Sequence, residues 1–158
     1  MSPAKPVLSA PVGNGAPIDL SQQLLEADAV VRRISSSYVG MLQGDLCRMR
    51  ECLTAAQDAG NVAGNLTALF DIAHDVKGQG GTFGYPLISQ IAEALCRYLA
   101  AALPQNIADL SIVEVHLDAI TTVARHQIIG DGGVIGADIV RSLGLLQPAI
   151  AAKPGAEA

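Results

Sequence analysis

The stretch Leu66-Thr-Ala-Leu-Phe-Asp-Ile-Ala-His-Asp-Val-Lys-Gly-Gln-Gly-Gly-Thr-Phe-Gly84 decides the fold of this chain. On a wheel of about 100° per residue with His74 at zero, Leu69, Ile72, Val76 and Phe83 fall within about 40° of the opposite pole. That pole is the buried stripe of an amphipathic helix, so His74 faces solvent. Thr67, Phe70, Lys77, Gly78 and Gly81 return to the histidine's own side by steps of three, four and seven, with Asp71 at its edge. Gly80 turns inward, where close helix approach explains it. Gly84, followed by Tyr85-Pro86, ends the helix.

Working outward, prolines divide the chain. Four of the eight stand at positions 3, 6, 11 and 17 and two more, Pro148 and Pro154, near the C-terminus, so residues 1–17 and 148–158 read as flexible tails. Pro86 and Pro104 each mark a helix boundary. The pattern predicts helices at roughly 18–33, 37–58, 62–83, 86–102, 109–129 and 134–146. Met41, Leu42, Leu46, Met49 and Leu53 form a core stripe on the second. Leu87, Ile88, Ile91, Leu95 and Leu99 repeat it on the fourth, and the fifth adds Ile112, Val115, Ile120 and Val123. The expected fold is all-α. It is an antiparallel four-helix bundle with an additional N-terminal helix and a short C-terminal helix, a domain over 18–147 with its core at 37–129.

Bulk properties narrow the class. With 158 residues the chain holds one ordinary domain, and with three Tyr, two Phe and no Trp among 50% hydrophobic residues its composition suits close-set helices. A net charge of -5 disfavours a nucleic-acid partner, which needs clustered Lys and Arg. Cys47, Cys52 and Cys96 are odd in number without a CxxC pair, so neither a disulfide framework nor a zinc knuckle is indicated. Met1 to Pro17 lacks the apolar run of a signal peptide, and no stretch of about 20 apolar residues offers a membrane span. A cytoplasmic location with no membrane partner is expected.

Other candidate sites carry little chemistry. His116 and His126 stand ten residues apart, and Glu114 and Asp118 nearby do not form the Glu-x-x-His pattern of bundle metal sites, so no metal is expected. Gly78-Gln-Gly-Gly-Thr-Phe-Gly84 fails as a dinucleotide fingerprint because Phe83 takes the third glycine position and no strand precedes it. Asp131-Gly-Gly133 reads as a turn, and no serine or cysteine triad signature is present.

Glycines at 78, 80, 81 and 84 in a helix cost about 1 kcal/mol each against alanine, so about 3–4 kcal/mol together. Gly78 and Gly81 flank the imidazole and strip away side chains, which lets a second protein bring a reactive carboxylate up to the ring. Lys77, one turn on, can place its ammonium beside a phosphoryl group and offset the added charge. It is a charge partner and not a base. An imidazole with a pKa near about 6.5 keeps a large neutral fraction at neutral pH and is a competent nucleophile. Phe70, one turn earlier, is a candidate apolar anchor for a docked partner, against the reading of a partly buried residue at a helix crossing.

Together His74, Lys77, Gly78, Gly81, Phe83 and Gly84 resemble the signature of the histidine-phosphotransfer (HPt) family. The resemblance covers roughly residues 37–129 and rests on hydrophobic pattern outside His74 to Gly84. It implies an exposed phospho-accepting histidine on a helical bundle. The implied partners are response-regulator receiver domains, each with a phospho-accepting aspartate and Mg²⁺, and a hybrid or cognate histidine kinase. The chain itself then needs no cofactor and acts as a phosphoryl carrier without autonomous kinase activity. Family members often add a polar side chain from the next helix to steady the ring, and Gln90 and Glu93 are available for that role. His74-Asp75-Val76-Lys77 also looks like the core of a histidine-kinase dimerisation helix, with an acid after the histidine to assist proton removal. The expected following proline is missing and the chain is too short for an ATP-binding domain. A non-catalytic helical interaction module is the third alternative.

Overall fold

The computed structural model describes Pro17, residues 19–58 and residues 60–146. Apart from Pro17, the expected tails lie outside the described residues, as does the expected helix start at residue 18. The described residues form five α-helices and no strand: α1 Leu20–Asp58, α2 Val62–Gly80, α3 Pro86–Ala102, α4 Leu110–Arg125 and α5 Gly133–Gly144. A 3-10 turn, Leu103–Gln105, follows α3. The all-α expectation holds. No helix among the described residues is long and apolar enough to cross a membrane.

The chain divides into two units between Arg33 and Ile34. In the first, Asp19 caps the start of α1, its carboxylate accepting from the backbone N–H groups of Ser21 at 3.0 Å and Gln22 at 3.4 Å. The described residues of this unit are exposed throughout.

The second unit holds the core. Its centre is α3, where Leu87, Ile88, Ile91, Leu95, Tyr98 and Leu99 are fully buried on a helix that packs against α2, α4 and α5. Leu42, Leu46, Met49 and Leu53 from α1, Leu66, Leu69, Ala73 and Val76 from α2, and Val113, Leu117, Ile120 and Val123 from α4 complete it. Two members of the expected stripes stand outside. Met41 is 55% exposed and Val115 47%, since they sit about 100° and about 140° from the middle of their helices' buried arcs.

Three predicted boundaries are corrected. The break expected at residues 34–36 does not occur, and α1 runs through it. The serines there are weak helix formers, but no Gly or Pro stops the helix. Tertiary contacts hold the segment as well: Ser35 Oγ donates to Phe83 O at 3.2 Å, and Tyr38 stacks on Phe83 with ring centroids 4.8 Å apart. The helix expected to reach residue 129 ends at Arg125, because Gln127 takes a left-handed φ of 49°. The helix expected to reach residue 83 keeps regular form only to Gly80.

Two loops are joined by backbone hydrogen bonds. Gly130 N donates to Gly84 O at 2.9 Å and Leu87 N donates to Gly130 O at 3.3 Å, so the α4–α5 connection braces the α2–α3 turn. The Asp131-Gly-Gly133 turn forms as expected, with Asp131 Oδ1 accepting from Gly133 N at 2.9 Å and Gly132 at φ 74°. At the other end Tyr98 hydroxyl accepts from Asp109 N at 2.7 Å and donates to Asp109 O at 3.3 Å, tying α3 to the start of α4.

His116 on α4 is fully buried, its Nδ1–H donating to Ile112 O at 2.8 Å while Nε2 has no partner. Burial lowers its pKa below the ordinary 6.5, only partly offset by that hydrogen bond. The unfolded chain therefore binds the proton more readily than the folded one. Stability complete above about pH 6.5 is lost as pH falls through that value and toward the lower folded-state pKa. Urea unfolding at pH 7.5 and 5.5 is expected to show a lower midpoint at the acid value, and His116→Leu is expected to flatten the difference. An unchanged slope in the variant would assign the acid sensitivity to another group. Asp109, held below the ordinary carboxylate range by hydrogen bonds from Ser111, acts in a separate and lower pH window.

Candidate functional site

Asn61 starts α2 by accepting from Gly64 N at 3.0 Å. From there the apolar spacing turns Leu66, Leu69, Ala73 and Val76 into the core and leaves His74 exposed on the far side. Ile72 and Phe83, expected in the buried stripe, are half-buried. The imidazole has no hydrogen bond or ion pair among the described residues, and its ring neighbour is Phe70, with centroids 6.3 Å apart. Phe70 is half-buried against the core. Its ring therefore forms a floor beside the histidine rather than a projecting knob.

Lys77 is half-buried in the last turn of α2, where its charge also suits the helix dipole. Its ammonium acts on Cys96 of α3: burial pushes that thiol up to about 11, Lys77 opposes the rise, and Glu93 adds to it. The charges of Lys77 and Glu93 are thus both felt at the buried Cys96. Gln90 and Glu93 are exposed, and neither hydrogen-bonds the imidazole. On the α1 side Arg48 pairs with Asp45 and also feels the charge of Asp75.

The four glycines separate into different roles. A Cβ on Gly78 would meet nothing within 4 Å, and one on Gly81 only Ser89 Oγ at 3.9 Å, so both positions are bare toward solvent. Gly80 is buried, and a Cβ there would lie 2.5 Å from Ser89 Oγ and 2.9 Å from Tyr85 O. Gly84 takes φ 88° in the turn where Tyr85 N donates to Gly80 O at 2.8 Å and Gly84 N to Gly81 O at 3.4 Å, a Schellman closure. The helical-glycine penalty expected of all four falls on Gly78 and Gly80.

Ser89 was not singled out by sequence reasoning. Its hydroxyl accepts from Gly81 N at 2.8 Å and fills the space left by Gly80, fixing the end of α2 on α3. Spacing alone holds no signal for it, since a serine at that offset is ordinary; the only pointer was the inward-facing glycine it packs on. Tyr38, which stacks on Phe83 and tilts toward Tyr85 at 5.8 Å, was missed for the same reason. Among the described residues no three His, Cys, Asp or Glu side chains gather as metal ligands. His126 caps the end of α4 and is exposed, whereas His116 is buried.

The second unit is thus a helical fold that presents an exposed imidazole beside a half-buried aromatic ring and two bare glycines. The family model for the Hpt domain matches residues 41–127, more than half of the chain, and the chain belongs to the Hpt-domain family. Membership supports a phosphotransfer role in two-component signalling, where Hpt domains interact with receiver domains and kinases. No curated protein and no solved structure matched the chain.

Proposed function

We propose that this protein relays a phosphoryl group between receiver-domain aspartates through a phosphohistidine on His74. The observation that carries the reading is the free, exposed imidazole of His74 one turn from the bare Gly78. A lone pair of the neutral ring attacks the phosphorus of an upstream phospho-aspartate. The new P–N bond forms as the P–O bond to the aspartate breaks, and the carboxylate leaves. A second receiver then takes the phosphoryl group by the reverse displacement. Lys77 offsets the charge carried on the ring, and Phe70, Gly78 and Gly81 form the docking floor. Mg²⁺ belongs to the receiver, whose acidic residues supply hard oxygen ligands.

In this reading α1 from residue 34, α2, α3 and α4 make the antiparallel four-helix bundle of the carrier domain, working in the cytoplasm without kinase activity of its own. The kinase-dimerisation alternative is tested by the source of phosphate. Incubation with a panel of purified phospho-receivers is expected to label the chain with an acid-labile, base-stable phosphoryl group. Label acquired from ATP alone, or an acid-stable label, would refute the relay.

Gly78 separates folding from docking. Because a Cβ there meets open space, Gly78→Ala is expected to stabilise the helix by about 0.5–1 kcal/mol. Gly78→Leu is expected to raise the melting temperature slightly, as Ala does, and yet slow transfer on the order of tenfold or more by holding the receiver away from the ring. Transfer at the parent rate in Gly78→Leu would remove the steric role.

A further inference from the structure

α2 ends in its weakest stretch. Gly78 and Gly80 stand in its last turn with Gly81 just past it, and glycine is the poorest helix former after proline. Left to itself such an end frays, and it is the end that carries Lys77, Gly78 and Gly81. The chain fixes it from outside. Gly130 joins the turn to the start of α3, its N–H donating to Gly84 O at 2.9 Å and its carbonyl accepting from Leu87 N at 3.3 Å. A Cβ on Gly84 would lie 3.9 Å from Ile129 Cγ2, and Cβ atoms on Gly132 and Gly136 would lie 2.8 and 3.3 Å from Leu87 Cδ2, so the connection is packed on this corner from both sides. α5 anchors the connection in turn through the buried Leu143 and the half-buried Ile139 and Val140. The whole clamp follows the Hpt-domain stretch of residues 41–127.

We propose that α5 and the α4–α5 connection are a positioning element for phosphotransfer, holding the glycine-rich end of α2 in one form so that a receiver domain meets a preformed docking surface beside His74. The inference rests on the relay reading of His74. A receiver that had to order this end on arrival would bind more weakly, in proportion to the fraction of time the end is formed. The imidazole itself would react with a small donor as before, because its ring neighbour is Phe70 and not the clamp. Loss of the clamp therefore falls on KM for the receiver and not on the chemical step. Gly130 gives a clean way to remove it. A Cβ there would meet nothing within 4 Å, yet its φ is 80°, so the obstacle to a side chain is backbone conformation alone. Gly130→Val puts a β-branched residue where φ is positive and breaks both hydrogen bonds, whereas Gly130→Asn tolerates that backbone and keeps them.

The test compares the full-length parent and the two variants in three measurements. These are transfer from purified phospho-receiver, labelling by phosphoramidate, which passes its phosphoryl group to the ring with loss of ammonia, and amide hydrogen exchange. In Gly130→Val the KM for the receiver is expected to rise about fivefold or more, with the maximal rate and phosphoramidate labelling within about twofold of the parent. The amides of Gly81 and Tyr85 are expected to exchange faster in that variant, and Gly130→Asn to restore every value. An unchanged KM in Gly130→Val, a matching fall in phosphoramidate labelling, or exchange at Tyr85 as slow as in the parent would each overturn the proposal. A parent chain that no phospho-receiver labels would refute the relay and this inference with it. The exchange rates need no receiver, so they tell the two failures apart.

Discussion

Replacing His74 with Gln is expected to reduce transfer from a phospho-receiver to background while leaving the unfolding midpoint within about 0.5 kcal/mol of the parent. The two halves of that expectation have separate origins. Gln keeps the polarity and approximate reach of the side chain but has no nitrogen lone pair able to take the phosphoryl group, so the acceptor is lost outright. The fold is spared because His74 is exposed and makes no hydrogen bond or ion pair among the described residues, so its removal orphans no buried group. The measurement is transfer of label from purified phospho-receiver, read beside a urea melt. Label on the variant at the parent rate would move the site to another residue; loss of both label and fold would show that the imidazole is structural. Lys77→Ala is the useful companion, expected to slow transfer without abolishing it, since an ammonium that offsets charge contributes to rate and not to acceptor identity.

The second large effect is on stability and lies far from the histidine in sequence. A Cβ on Gly136 would stand 1.8 Å from Asp131 O and 3.3 Å from Leu87 Cδ2. Gly136 is buried in α5, and its N–H donates to Gly132 O at 3.0 Å, so it closes the Asp131-Gly-Gly133 turn from within. The obstructing atom is a backbone carbonyl, and the loop that carries it is held through Gly130 to Gly84 and Leu87. It cannot yield without disturbing the α2–α3 turn. Gly136→Ala is therefore expected to destabilise by about 3 kcal/mol, lowering the melting temperature by about 10 °C. That alanine is ordinarily the better helix former makes the sign diagnostic. A variant as stable as the parent would show that the loop relaxes freely.

The two substitutions also separate what a local pattern specifies from what requires the assembled chain. From residue order alone came the helical class, the buried faces carrying Leu69, Val76, Leu87 and Leu95, and the outward direction of His74, all consequences of a 3.6-residue period that any amphipathic helix obeys. The turn at Asp131-Gly-Gly133 was legible because glycine adopts positive φ without penalty. The same local logic placed a break near Ser35 that does not exist, since weak propensity yields to a buried hydroxyl bonded to Phe83 O and an aromatic ring stacked on Phe83. It extended the stripes to Met41 and Val115, which are apolar but point off the seam.

Residue order by itself determined which side of each helix meets the core and that one imidazole stands away from it. Only the tertiary structure decided that Ser89 clamps the end of α2, that Phe70 lies beside the histidine as a half-buried floor, and that Gly136 has no room for a methyl group. The physical reason is range. Helical periodicity is written within one or two turns, whereas a hydroxyl, a ring and a carbonyl meet across elements only after the chain has folded back, at separations the local pattern does not encode.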